Sequence, residues 1–185
     1  VILTRLLGEN KDHNLSDKQL EYARTISIAG AELLDLINDI LDLSKVEAGR
    51  VEVHVEELPM TDLVHTVEQK FRHVAQDKGL DFHITVDPDV PPVWYTDQQR
   101  LHQIINNLLS NAFKFTSQGQ VKLEISKEIN KGVPSLNFAV TDTGIGIPKD
   151  KQQIIFEAFQ QVDGTTSRRY GGTGLGLTIS RQLAN

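Results

Sequence analysis

The sequence predicts an α+β protein, in which a helical hairpin is followed by an α/β sandwich whose mixed sheet is covered on one face by helices. Two observations support this expectation. From Tyr22 to Leu43, apolar residues recur at alternating steps of four and three, the spacing of a helix that packs along a seam. After Gly49, segments with strand alternation and segments with helical spacing follow one another. We therefore expect two domains, a partial hairpin over residues 1–49 and a second domain over residues 50–185.

The hairpin is expected to consist of a long second helix and a short piece of a first helix over Val1–Leu7. Asn14, Ser16 and Asp17 can cap the long helix, and Ala48-Gly49 can end it. Its apolar stripe is too broad for one partner, which is typical of a bundle. Because the first helix is too short to cover the second, we expect a homodimer in which a second copy completes the bundle. The alternative, a core helix of one compact domain, is disfavoured because charged residues separate this helix from the rest.

The second domain is expected to alternate short strands with helices. The predicted elements, in chain order, are a strand at Val51–Val55, a helix at Thr61–Gln76 ended by Gly79, a strand at Leu80–Val86, a helix capped by Asp97, strands at Gln120–Glu128 and Leu136–Thr141, a helix at Lys149–Phe156 and a last helix near Leu175. The two later strands flank a turn and form a hairpin.

Composition excludes several classes of protein. The chain has 185 residues, 39% of them hydrophobic and 24% charged, as in a soluble globular protein. No apolar run is long enough to cross a bilayer, and no leader is visible, so we expect no membrane contact by these residues. The parent protein could still be anchored to a membrane. The absence of cysteine excludes a disulfide framework and suits a cytoplasmic location. The net charge of -6 disfavours nucleic-acid binding.

Three spaced motifs indicate one nucleotide site. Asp142-x-Gly144-x-Gly146 alone is typical of a turn after a strand. Upstream, Asn107, Asn111 and Lys114 lie on one face of a helix, although amides are poor helix formers. Downstream, four glycines between Arg168 and Leu177 precede a helical pattern. Such a turn lets backbone N–H groups approach an anion at a helix N-terminus.

These motifs resemble, in order and spacing, the ATP-binding domain of sensor histidine kinases, which belongs with DNA gyrase, the mismatch-repair ATPase and the large heat-shock chaperone in one superfamily. The matching segments are Asn107–Ala112 with Lys114-Phe115 for the N box, Asp142–Gly146 for the G1 box, Phe156–Phe159 for the F box and Gly172-x-Gly174-x-Gly176 for the G2 box. Leu33–Gly49 resembles the second dimerisation helix. The resemblance implies a Bergerat-type ATP-binding fold in a two-component kinase.

The resemblance also implies ATP and Mg²⁺ as cofactors. Asn111 is the implied magnesium ligand, since one amide carbonyl suffices for an ion that keeps several waters, and Asn107 would support the phosphates or metal waters. Lys114 would add charge to the phosphates, and Phe115 would line the base pocket. Asn107 and Lys114 are thus the candidate catalytic residues. The alternative for the two asparagines is a helix face hydrogen-bonded to neighbouring loops.

Asp142 is the candidate for base recognition. A carboxylate accepts hydrogen bonds, so Asp142 can read the exocyclic amine of adenine but not the carbonyl of guanine. Gly144 and Gly146 permit close backbone approach beside it. Ile145 and Ile147 are interpreted as pocket wall and core. The alternative for Asp142 is a carboxylate that caps a turn.

The glycine-rich turn is the candidate triphosphate loop. The implied contacts are with Gly172, Thr173, Gly174, Leu175 and Gly176. The polar segment 160–172 suits a lid, in which Arg168 or Arg169 could contact the γ-phosphate. A solvated basic pair is the alternative, and the identity of the cationic contact stays open, because Gln161 stands where some relatives have arginine.

The expected reaction follows from Asn107. Hydrolytic branches of the superfamily carry glutamate at this position as a base for water, and an amide cannot serve as that base. We therefore expect transfer of the γ-phosphate to a histidine and then to the aspartate of a response-regulator receiver domain. A dimeric ATP-hydrolysing machine and a catalytically silent nucleotide-binding scaffold remain alternatives.

The acceptor and the sheet's last strands are expected to lie outside the sequence. None of the six histidines lies in the Ser-His-Glu-like context of the family's acceptor, so we expect the acceptor upstream of Val1. In the family, further strands follow the G2 helix, whereas this sequence stops at Asn185. We expect those strands to be missing.

Overall fold

The computed structural model describes residues 2–11, 13–48, 52–130, 132–158, 160 and 174–184. Its amino-terminal part is the predicted hairpin, formed by helices α1 (Ile2–Glu9) and α2 (Asp17–Glu47). Ser16 caps α2 in a reciprocal arrangement with Gln19. The Ser16 hydroxyl accepts from the Gln19 N–H at 3.4 Å, and the Gln19 side chain accepts from the Ser16 N–H at 2.8 Å.

The second part alternates helices and strands, as predicted. Its elements are β1 (Glu56–Pro59), α3 (Met60–Lys78), β2 (Asp81–Val86), β3 (Val93–Thr96), α4 (Gln98–Phe115), β4 (Gln120–Asn130), β5 (Val133–Asp142), a 3₁₀ turn (Ile154–Phe156) and α5 (Gly176–Leu183). Gly79 ends α3 in the left-handed conformation, with φ of 64°.

The described strands form two sheets. Strands β1 and β3 pair antiparallel, whereas the larger sheet has the order β2-β4-β5. In that sheet β2 runs parallel to β4, and β4 pairs antiparallel with β5 from Val121 opposite Asp142 to Asn130 opposite Val133. The expected mixed sheet is therefore confirmed, and its hairpin delivers Asp142 to the end of β5.

Helices α3 and α4 cover one face of the larger sheet. Alternate β4 residues, Val121, Leu123 and Ile125, are buried against them. At the centre of this core the Phe113 ring of α4 stacks on Phe71 of α3 at 5.5 Å and meets Phe82 of β2 edge-on at 5.3 Å. This packing fixes how α4 is rotated about its axis and hence which of its residues face away from the sheet.

Two predicted elements are wrong. Residues 52–55 form no strand, and Val53 and Val55 are exposed, because the strand that pairs with β3 begins only at Glu56. The helix expected at Lys149–Phe156 is a succession of turns that ends in one 3₁₀ turn. Lys149 and Asp150 are exposed. Since a short helix depends on packing of an apolar face, this charged start gives it little support.

Asp97 caps α4, as predicted. One carboxylate oxygen, Oδ1, accepts from the Arg100 N–H at 3.0 Å, and the other, Oδ2, accepts from the His54 N–H at 3.0 Å. Burial acts to raise the pKa of Asp97, but these two hydrogen bonds and the Arg100 charge outweigh it, so the pKa lies below its usual value of 3.8.

Replacing Asp97 with alanine should therefore destabilise the fold in a pH-dependent way. We expect the free energy of unfolding near neutral pH to fall by about 1 kcal/mol, the usual value of an N-cap. Because the folded pKa is lowered, the contribution of Asp97 is present above its usual pKa and is lost as the pH falls through the folded value. Urea unfolding of wild type and Asp97→Ala, near neutral pH and at a pH below the folded pKa of Asp97, measures this difference. Asp89→Ala, in an exposed turn, is the control.

The hairpin helix α2 contacts helices α4 and α5. Leu43 of α2 is buried with Leu175 and Ile179 at the start of α5. The Asp42 carboxylate accepts from the Gln103 side chain of α4 at 2.7 Å. The Arg100 guanidinium lies 3.7 Å from the same carboxylate. Both α4 and α5 are therefore held against the end of α2.

Much of the remaining apolar surface of α2 is exposed. Its large apolar side chains with at least two fifths of their surface accessible are Tyr22, Ile26, Ile28, Leu33, Leu34, Ile37, Ile40 and Leu41.

Among the helices of the described residues, none combines the length and the apolar character needed to cross a bilayer.

Candidate functional site

Helix α4 presents its polar residues away from the core. Ile105, Leu109 and Ala112 are buried against the sheet, whereas Asn107 and Asn111 are half-buried on another face. This follows from the helical period, since residues four apart lie one above the other. The sequence prediction that the two amides share a face is confirmed.

The two asparagine side chains form a hydrogen-bonded chain with α5. The Asn111 amide nitrogen donates to Asn107 Oδ1 at 3.4 Å, and the Asn107 amide nitrogen donates to the Ser180 hydroxyl at 2.7 Å. With its nitrogen directed toward Asn107, Asn111 presents its carbonyl oxygen elsewhere. An oxygen acceptor is the kind of ligand that Mg²⁺ prefers.

The start of α5 lies directly against this amide chain. A Cβ atom added at Gly176 would collide with the Asn107 side chain, so the close approach of the two helices requires glycine there. Gly174 has φ of 70°, a left-handed conformation that favours glycine. Two of the predicted loop glycines therefore bring a helix N-terminus beside Asn107, where the helix dipole favours an anion.

Asp142 lies at the carboxyl end of α4. Its Oδ1 accepts from the Gly144 N–H at 2.8 Å and from the Thr116 hydroxyl at 3.4 Å. Both of these hydrogen bonds are accepted by Oδ1. Asp142 as a whole is exposed to solvent. These two contacts restrain the orientation of the carboxylate through Oδ1.

The G1 turn is packed on the last residue of α4. The Ile145 N–H donates to the Phe115 carbonyl at 3.3 Å, and a Cβ atom at Gly144 would collide with that same carbonyl. The turn that follows Asp142 is thereby tied to Phe115, which lies four residues after Asn111 on α4. The amide pair and the G1 turn are therefore both fixed relative to the same helix.

Lys114 and Phe115 lie between these two groups. The Lys114 ammonium is 5.1 Å from the centroid of the Phe115 ring, and both side chains are half-buried. A cation placed over an aromatic ring is stabilised by the ring's electron-rich face. This contact holds a positive charge near the end of α4.

Some of the remaining predicted residues lie within the part of the chain that the structure describes, and others lie outside it. Gly146 has φ of 68°, which favours glycine. Ile145 and Ile147 are exposed, so the part of their interpretation that placed them in the core is wrong, while a role as pocket wall stays a prediction. Arg168, Arg169, Gly172, Thr173, Phe159 and most of the predicted lid over residues 160–172 lie outside the described residues.

Two residues of the site were missed by the sequence analysis. Ser180 is buried and bound to Asn107, and Thr116 is buried and bound to Asp142. Ser180 sits in an ordinary helical pattern, so nothing in its local sequence singles it out. Thr116 carries a usable signal, since it follows the last residue of a helix, where hydroxyl side chains often bond to nearby turns.

The chain matches known proteins over this site. Residues 96–185 match the family model described as Histidine kinase-, DNA gyrase B-, and HSP90-like ATPase. Hybrid signal transduction histidine kinase B of Dictyostelium discoideum is 41% identical over 170 residues, which are 91% of this chain and 9% of that protein. Signal transduction histidine-protein kinase BarA of Escherichia coli K12 is 39% identical over 172 residues, 92% of this chain and 19% of that protein.

A solved structure extends the similarity to the fold. Full-length ShkA, solved in complex with AMPPNP, aligns with a TM-score of 0.76 and 31% identity, covering 98% of this chain and 36% of ShkA. The chain spans less than a fifth of the length of the two curated relatives. Residues 96–185 thus match the histidine kinase-, DNA gyrase B- and HSP90-like ATPase family, and over about nine tenths of its length the chain is similar to histidine kinases.

Proposed function

We propose that this chain is the ATP-binding catalytic core of a sensor histidine kinase. Its reaction is transfer of the γ-phosphate of ATP to a histidine and from there to the aspartate of a response-regulator receiver domain. The observation that supports the proposal is that α4 carries the Asn107–Asn111 pair with α5 beside it, while Asp142 is bound to Thr116 at the end of the same helix. One nucleotide lying along α4 would reach all three side chains.

The amide pair fits a magnesium ion that bridges phosphates. Among the described residues, no three His, Asp or Glu side chains gather at a point that could hold a metal. Asn111 would supply the protein ligand for Mg²⁺, an ion that prefers oxygen ligands and needs few of them from the protein. When bound, the ion would neutralise phosphate charge. Asn107 orients Asn111, and Lys114 adds a second positive charge near the phosphates.

Asp142 fits recognition of adenine. Its Oδ1 is engaged by Gly144 and Thr116, so Oδ2 is the oxygen that would accept from the exocyclic amine. Phe115 and Ile147 would line the base, and Gly146 would let the backbone approach it. On the phosphate side, Gly174, Leu175 and Gly176 supply the turn. We assign Arg168, Gly172 and Thr173 to the same ligand from their motif alone.

Phosphotransfer is favoured over hydrolysis because of Asn107. Its amide donates to Ser180 and accepts from Asn111, so both of its polar atoms have structural partners. A neutral amide cannot remove a proton from water. The site supplies positioning and charge, and the nucleophile is an imidazole from a helical hairpin.

We propose that residues 1–49 are part of a dimerisation and histidine-phosphotransfer hairpin and that residues 50–185 are the ATP-binding domain. The exposed apolar stripe of α2 supports a homodimer. Sedimentation equilibrium should then give twice the chain mass, and Leu33→Glu, at a residue 57% exposed, should shift it toward monomer. Ile129→Glu, at a residue 75% exposed on the β-hairpin, is the control. A wild-type monomer at all concentrations would exclude this dimer.

We propose a cytoplasmic site of action, a receiver domain as the protein partner and no nucleic-acid partner. The acceptor histidine is assigned to a segment outside these residues, because none of the six histidines has the context of the family's acceptor. His65, His73 and His83 are exposed residues of α3 and β2. Their positions on regular elements suit surface roles.

Incubation with γ-labelled ATP tests the proposal. The chain alone should bind ATP without becoming labelled, whereas a fusion to the segment that precedes the matched region in BarA should gain acid-labile phosphohistidine. Rapid release of free phosphate would instead identify an ATPase. Binding with neither product would identify a silent scaffold. Labelling of the isolated chain that is lost on replacing one of its own histidines would overturn the acceptor assignment.

A further inference from the structure

Ser180 lies outside every motif that points to the nucleotide, yet it contacts the amide pair directly. It is on α5, is 7% exposed, and accepts a hydrogen bond from the Asn107 amide nitrogen at 2.7 Å. This hydrogen bond is shorter than the one between the Asn107 and Asn111 side chains, which is 3.4 Å. Ser180 therefore restrains the Asn107 side chain more strongly than Asn111 does.

We propose that Ser180 is a positioning residue for the magnesium site, acting through Asn107 on Asn111. The inference rests on the proposed function, because it takes Asn111 as the metal ligand. With the Asn107 nitrogen bound to Ser180, Asn107 Oδ1 faces Asn111 and accepts from its nitrogen. Asn111 is then held with its carbonyl oxygen, the only atom of its amide that can bind a cation, available to the metal.

The same contact links the metal site to the triphosphate loop. Ser180 lies one helical turn after Gly176, the glycine that packs against the Asn107 side chain. Leu175 and Ile179 anchor this turn of α5 in a buried cluster. Displacement of α5 would therefore pull Ser180 from Asn107 and release the orientation of Asn111. Magnesium binding and seating of the loop are coupled through one hydroxyl.

Thr178 provides a matched control on the same helix. It is 7% exposed, as Ser180 is, and its hydroxyl has no hydrogen-bond partner within the described part of the chain. Thr178→Val removes this hydroxyl while keeping the shape of the side chain. Ser180→Ala removes the hydroxyl that binds Asn107, and Ser180→Thr keeps one. Comparison of Thr178→Val with Ser180→Ala separates the loss of a buried hydroxyl in general from the loss of the Asn107 contact.

The measurement is calorimetric ATP binding by the whole chain with excess Mg²⁺ and with excess EDTA. The ratio of the two dissociation constants gives the enhancement of binding by magnesium. We expect Ser180→Ala to lower this enhancement about fivefold, the effect of one hydrogen bond, without changing affinity in EDTA. Ser180→Thr and Thr178→Val should keep the wild-type enhancement. Thermal melts establish that each variant is folded.

Other outcomes overturn the inference in distinguishable ways. If Ser180→Ala keeps the enhancement while Asn111→Ala loses it, Ser180 has no positioning role and the proposed site stands. If Ser180→Ala weakens binding equally in Mg²⁺ and EDTA, or Thr178→Val matches its effect, the hydroxyl is structural only. If Asn111→Ala also keeps the enhancement, the metal assignment itself fails.

Discussion

Asn111→Ala is expected to remove most of the magnesium dependence of ATP binding. In the proposed site its carbonyl oxygen is the protein ligand of the metal, and alanine offers no replacement. We expect affinity for ATP in Mg²⁺ to fall by at least about tenfold, the scale on which metal sites respond to loss of such groups. Affinity in EDTA should change little. Calorimetric titration under both conditions measures the two effects.

Ser110→Ala is the matched control for Asn111→Ala. Ser110 precedes Asn111 on α4 but is exposed, so its substitution changes the same helix without touching the amide chain. Its binding should equal that of the wild type. If Asn111→Ala binds ATP with unchanged magnesium dependence, the α4 amides face no metal, and the alternative of a structural helix face is correct.

Asp142→Asn is expected to shift nucleotide preference from ATP toward GTP. An asparagine at this position would keep its oxygen toward the Gly144 N–H and the Thr116 hydroxyl, both of which donate. Its nitrogen would then replace Oδ2 and place a donor against the donor amine of adenine. The carbonyl of guanine accepts and would suit that nitrogen better.

The expected size follows from loss of a charged hydrogen bond. We expect ATP affinity to fall by about 10- to 100-fold and GTP affinity to stay equal or rise. Competition between labelled ATP and unlabelled GTP measures both. Asp150→Asn, which makes the same change of charge at an exposed position, should leave the preference unaltered. Equal loss for both nucleotides would mean that Asp142 only supports the G1 turn.

Regular periodicity made most of the fold predictable. The amphipathic spacing in α4 and the alternation in β4 each encode a buried face, and those faces are the ones that pack. The heptad spacing in α2 predicted the helix itself, although most of its apolar stripe is exposed. Short elements were not predictable in the same way. Val93–Thr96 has only four residues, and it becomes a strand because β1 pairs with it. Such pairing depends on a partner distant in sequence.

The site was predictable to the extent that each residue belongs to a local motif. Asn107, Asn111 and Asp142 each belong to such a motif, and hydrogen bonds join the two amides to each other and Asp142 to Thr116 at the end of α4. Ser180 and Asp42 could not be found, because their partners lie 73 and 61 residues away and nothing in a one-dimensional pattern connects them. The Ser180 contact exists only once α5 has packed on α4, and the Asp42 contact only once α2 has packed on α4.

The central claim is that Asn111 and Asp142 bind opposite ends of one nucleotide. Titration of isotopically labelled chain with Mg²⁺ and ATP, followed by NMR of the Asn111 side-chain amide and the Gly144 backbone amide beside Asp142, tests it most directly. We predict that both signals shift along one binding curve with a single dissociation constant, and that both stop shifting in Asp142→Asn at the same ATP concentrations. A shift at one position while the other stays unchanged through saturation would contradict the claim.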